Sequence, residues 1–172
     1  MKRNLAWTLL FIATFLLSLP AVAKQKYKKD CTCSNADLVG DWGTTMTGTI
    51  TNPATGVASP FAAVNKATYD AVGNYWGTQT RNVGGTASHV TFQGVYTLNP
   101  DCTGTKTTKS YDATSGALLN TVTQDFVLTN NASELSEVFT SNILPNGVSV
   151  PSVVIGHSQK LFPDEDRDHD CW

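Results

Sequence analysis

Strict alternation of side-chain character between residues 89 and 98 constrains this chain more than any other feature. Val90, Phe92, Gly94, Tyr96 and Leu98 share one parity, whereas His89, Thr91, Gln93 and Thr97 share the other. Successive side chains of an extended strand point to opposite faces, so the segment reads as a half-buried β-strand. The pattern recurs. Leu38, Gly40, Trp42, Thr44, Met46, Gly48 and Ile50 form one face of residues 38–51, and Phe61, Ala63, Asn65, Ala67 and Tyr69 form one face of residues 61–69. Val122, Phe126 and Leu128 do the same within residues 120–129. Turn signals rich in Gly, Pro, Asn and Asp cut residues 38–162 into eight stretches of strand length, the others being 74–82, 105–111, 134–141 and 153–162.

The connections are mostly short. Asp70-Ala71-Val72-Gly73-Asn74 reads as a tight hairpin with a positive φ at Gly73, and Asn99-Pro100-Asp101-Cys102 as a type I turn with Gly104 taking a left-handed bulge. Eight antiparallel strands left as an open sheet would expose two edges, and closing the sheet removes both. The expected fold is therefore all-β, an eight-stranded antiparallel meander barrel, closed or nearly closed. At eight strands the interior is either filled by side chains or just wide enough for one small ligand.

Residues 1–23 read as a secretory signal, with Lys2 and Arg3, an apolar run from Leu5 to Leu17, and the cleavage site Ala21-Val22-Ala23. Their removal from 172 residues leaves 149, enough for one domain with a sizeable core. The expected layout is a basic segment at 24–37, a barrel at 38–162 and an acidic tail at 163–172. Ten basic against fourteen acidic residues in the processed chain argue against a nucleic-acid partner, which needs a basic face. A membrane-spanning barrel is also disfavoured. Stepping back by twos from Trp172 meets Asp170, Asp168, Asp166 and Asp164, which no lipid-facing strand carries, and Thr91, Gln93 and Thr97 make a polar outer face.

Gly94-Val95-Tyr96-Thr97-Leu98-Asn99-Pro100-Asp101-Cys102-Thr103-Gly104-Thr105 resembles the Gly-x-Tyr-x-x-x-x-Asp-Cys-x-Gly-Thr hairpin of uncharacterised exported bacterial proteins. Tyr69-Asp70-Ala71-Val72-Gly73-Asn74 is similar to their preceding Phe-Asp-Gly-x-Gly-Asn turn, and Val39-Gly40-Asp41-Trp42-Gly43 stands where their first strand lies. The resemblance covers roughly residues 38–128. It implies a barrel like those of allene oxide cyclase or the lipocalin-like group, and by that analogy alone an isomerase or cyclase role as an alternative.

Four cysteines, Cys31, Cys33, Cys102 and Cys171, survive signal removal, and an even count in an exported chain favours disulfides. A bridge between Cys31 and Cys33 would be strained, so one of them is expected to pair with Cys171 and the other with Cys102. Zinc is the competing reading, with Cys31 and Cys33 joined by His169 and Cys171, although the spacing is tight and the compartment oxidising. Asp164, Asp166 and Asp168 match the first positions of a calcium loop, yet His169 replaces its glycine and the distal Glu is missing. No metal or other cofactor is expected.

Glu137 shares parity with Leu135 and Phe139, and His157 with Val153, Ile155 and Leu161, so both are expected to face the lumen. There they would orient a ligand or form a structural hydrogen-bonded pair. Trp42, Trp76, Tyr96, Phe92 and Phe126 read as core, with Trp42 and Tyr96 as further candidate ligand contacts. The chain lacks a Gly-x-Ser-x-Gly elbow, a phosphate-cradling loop and a His-Glu-x-x-His motif. These observations point to an exported, non-catalytic barrel binding a small apolar ligand, or to an envelope or secreted interaction module with a filled core.

Overall fold

A computed structural model describes residues 32–162. The segments at 1–31 and 163–172, with the expected signal, most of the basic segment, Cys31, Cys171, His169 and the acidic tail, lie outside the described residues. A short 3₁₀ helix, Asn35–Leu38, is followed by eight strands: β1 (Gly40–Thr51), β2 (Ala58–Tyr69), β3 (Asn74–Val83), β4 (Thr86–Leu98), β5 (Thr103–Asp112), β6 (Leu118–Thr129), β7 (Glu134–Ile143) and β8 (Ser152–Lys160). They pair in chain order and close as an antiparallel barrel, the expected fold. β1 meets β8 over nine positions, from Trp42 opposite Lys160 to Ile50 opposite Ser152. The β7–β8 pair holds only five, from Glu134 opposite Gln159 to Val138 opposite Ile155.

The expected inward faces of β1, β2, β4 and β6 are those observed, because their apolar parity matches their burial. Three expectations need correction. Leu38 belongs to the 3₁₀ helix rather than to the first strand, and is fully buried. The left-handed residue of the β4–β5 turn is Cys102, at φ 67°, and not Gly104. Gly104 lies in β5, where a Cβ would fall 2.3 Å from the Phe126 ring, so its glycine provides room for close packing. Trp76 points outward and is 48% exposed, because β3 buries its odd-numbered residues, beginning with Tyr75.

One end of the barrel is plugged. Trp42 packs edge-on to Tyr69 at 6.1 Å, Tyr69 stacks on Tyr75 at 5.0 Å, and Leu38, Leu128 and Leu135 fill the space around them. The 3₁₀ helix seals this layer: the Trp42 indole N–H donates to the Leu38 carbonyl at 2.8 Å, and the Leu98 N–H donates to Asn35 Oδ1 at 2.9 Å. The Cys33–Cys102 disulfide fastens it to the β4–β5 turn, in agreement with the expected use of Cys102. The other end, between the β1–β2, β3–β4, β5–β6 and β7–β8 connections, carries a thinner apolar layer of Met46, Phe61, Ala63 and Val154.

β-Bulges occur in β6 opposite Ser110 and Tyr111, and in β7 opposite Thr123 and Gln124. The second makes Thr140 the extra residue and switches parity, so Asn142 is buried like Leu135 and Glu137. No helix of the described residues is long and apolar enough to cross a membrane.

Candidate functional site

Polar side chains occupy the middle of the lumen. Lys106 enters from β5 and Glu137 from β7, with side-chain exposures of 4% and 0%, and the ammonium is ion-paired with Glu137 Oε2. Lys106 Nζ also donates to the Tyr69 hydroxyl at 3.3 Å and stands 5.6 Å from the centre of the Tyr75 ring. Burial alone would depress the lysine pKa; the Glu137 carboxylate outweighs it and holds the value above the ordinary lysine range. Tyr69 and Tyr75 are pushed upward, first by burial, so both stay phenols at neutral pH.

Glu137 Oε1 has no hydrogen-bond partner among the described residues. Its carboxylate lies over Gly156, its cross-strand partner, where a Cβ would approach Oε1 to 2.5 Å. Only glycine leaves that space.

Above the ion pair, hydrogen bonds fix the direction of two amides. The Thr108 hydroxyl donates to Gln124 Oε1 at 3.1 Å, so it accepts from the Tyr75 hydroxyl, and Gln124 must present its Nε2 to the lumen. On the opposite side of β6, Ser152 donates to the Val150 carbonyl, Asn142 Nδ2 to Ser152 Oγ, and Asn120 Nδ2 to Asn142 Oδ1. That relay leaves Asn120 Oδ1 as a fixed acceptor. Gln124 Nε2, Asn120 Oδ1 and Asn65 Oδ1 are buried and have no hydrogen-bond partner among the described residues, and their residues line one cavity.

This cavity runs from Tyr69, Tyr75 and Lys106 toward the thinner end, between apolar Met46, Phe61, Phe92, Val122 and Phe139. The cavity volume is about 50 Å³. Drug-sized ligand sites run to about 300 Å³ and more. The lumen is thus a narrow channel, and its wall is mixed where an apolar one was expected. Arg81 stands at its outer part, with Nε donating to Ser88 Oγ at 3.2 Å.

Of the candidates named from sequence, Glu137 faces inward as expected. His157 does not. β8 buries Val154 and Ser158, leaving His157 exposed opposite Thr45 and Ser136, one residue out of the expected register. Glu137 and His157 are therefore not a pair. Trp42 and Tyr96 belong to the plugged end and are not on the channel wall; the Tyr96 hydroxyl lies between the carbonyl oxygens of Asp70, at 2.5 Å, and Asn35, at 3.0 Å. No group of three or more potential metal ligands occurs among the described residues, and the zinc and calcium candidates of the tail fall outside them.

Lys106 and Gln124 were missed. Both were within reach, since residues paired across antiparallel strands share a face, and Tyr96 opposite Lys106 carries the inward parity of β4 into β5. Gln124 then follows as the partner of Lys106. A search of protein families finds no match to this chain, and a search of curated proteins finds none.

Proposed function

We propose that this chain is an exported, non-catalytic barrel that holds a small molecule in its channel. The observation that carries this reading is Gln124, 2% exposed, with an amide nitrogen turned toward the cavity and no hydrogen-bond partner among the described residues. An unpaired buried donor costs about 1–3 kcal/mol, which an occupant of the channel relieves. Glu137, the only buried carboxylate among the described residues, is engaged by Lys106, and this supports holding rather than turnover. Export is supported by the character of residues 1–23 and by a disulfide that suits an oxidising compartment.

Native mass spectrometry of protein taken from the periplasm of a bacterial host tests the reading. An adduct retained by the wild type and lost from Gln124→Leu is the expected result. A bare polypeptide mass under the gentlest conditions, in both proteins, overturns it.

A second reading, an envelope or secreted interaction module, is favoured by one observation. Val138 and Ile155 are neighbours across β7–β8 and expose 42% and 61% of their surface, beside Val153 at 75%. Under this reading sedimentation velocity should show association of the wild type that Ile155→Thr abolishes, and a strictly monomeric wild type counts against a self-associating module.

A further inference from the structure

We propose that the channel takes a short organic anion, roughly the size of lactate, with its carboxylate at Arg81 and its hydroxyl or carbonyl oxygen on the Gln124 amide. The inference rests on the ligand-holding reading above and names its chemistry.

Charge comes first. Lys106 and Glu137 cancel one another, which leaves Arg81 as the charged group of the described channel wall without an ion-pair contact. No carboxylate of the described residues lies within ion-pair distance of it. Asp112 acts on it through space without an ion-pair contact, and its Oδ1 accepts from the N–H groups of Thr114 and Ser115 and from the Ser115 hydroxyl. A guanidinium stays charged even when partly buried, and its planar fork matches a carboxylate in two parallel hydrogen bonds.

Hydrogen bonding sets the other end. Gln124 Nε2 can only donate, because its Oε1 is held by Thr108, so the ligand must offer an acceptor there. Asn120 Oδ1 can only accept, so it would take a hydroxyl proton and not a carbonyl. Size is decisive against long chains. At about 50 Å³, against about 300 Å³ and more for drug-sized sites, the cavity leaves no room for a long acyl tail, while the few carbons of a hydroxy acid would lie among Val122, Phe92 and Met46.

The test is a titration of the ¹⁵N-labelled processed chain with lactate and with its neutral isostere lactamide, followed at the Gln124 side-chain amide. Lactate should shift that signal, and lactamide should bind at least about tenfold more weakly. Arg81→Gln should weaken lactate by a similar factor while leaving lactamide unchanged, and octanoate should have no effect on the Gln124 signal. Equal binding of lactate and lactamide, or indifference of lactate to Arg81→Gln, overturns the anion assignment while the channel remains a ligand site. Silence of the Gln124 amide toward both probes at millimolar concentration also overturns it, and marks the channel as filled by water; the broader reading is judged separately by the retained adduct.

Discussion

Replacing Lys106 by Met should destabilise the barrel by about 3–5 kcal/mol, since it leaves the Glu137 carboxylate buried without its counter-charge. Glu137→Leu should cost about the same for the mirror-image reason. The double variant is the informative one. With both charges gone, two apolar side chains of similar volume fill the space between Tyr69, Tyr75 and Gly156, and stability should return to within about 1 kcal/mol of wild type or exceed it. The double-mutant cycle therefore closes with a coupling of several kcal/mol, far above the few tenths seen for independent sites. Urea unfolding at neutral pH, followed by Trp fluorescence with the disulfide intact, measures all four proteins, and an unchanged m-value licenses the comparison. The wild type also carries a pH signature. The lysine pKa is raised in the folded state, so its contribution is complete below the unfolded value, about 10.4, and is lost as pH climbs beyond it toward the folded value. The double variant should lack that alkaline loss. Single variants within about 1 kcal/mol of wild type, or a double whose cost equals the sum of the singles, would refute the account of the ion pair.

Three further outcomes follow from the same geometry. Gly156→Ala should cost about 1–3 kcal/mol in urea unfolding, because the new methyl displaces the Glu137 carboxylate, and the cost should largely vanish in a Glu137→Ala background. Cys33→Ser with Cys102→Ser should lower stability by about 4 kcal/mol on the chain-entropy estimate for a separation of 69 residues, read as a shift of the urea midpoint. Asp70 is held below the ordinary carboxylate range by the Asn74 side chain and backbone N–H, and Asp101 and Asp112 by Thr103 and Ser115; these turns should stay tight above about pH 4 and loosen as pH falls through the depressed values, seen as rising amide exchange at Asn74, Thr103 and Ser115.

Alternation made the architecture legible wherever one face of a strand is plainly apolar. Val90, Phe92, Tyr96 and Leu98 leave no choice of register, and Phe61 to Tyr69 nearly as little. β8 deceived for a physical reason. Its inward positions, Val154, Gly156 and Ser158, are small because Glu137 and Thr44 occupy the lumen opposite them, while Val153 and Ile155 sit outside. Reading apolar as inward thus turned His157 to the wrong side. In β5 the Thr/Lys composition hid an inward lysine, since a charge is assumed to face water unless its partner is known. That partner, Glu137, is 31 positions away in sequence and was visible only as a carboxylate among apolar neighbours. The bulge at Thr140, which brings Asn142 into the amide relay, leaves no mark on the alternation of residues 134–141.

The pairing of Trp42 with Lys160 joins the first strand to the last, across 118 residues of chain. Nothing shorter than the whole meander can shut the ring, so β1 must wait with one flank bare until β8 has been threaded and delivered. Slow, late ring closure is the kinetic signature of such long-range topology. A nascent copy therefore carries its own adhesive border for as long as synthesis lasts, and whatever escorts it has that border to shield.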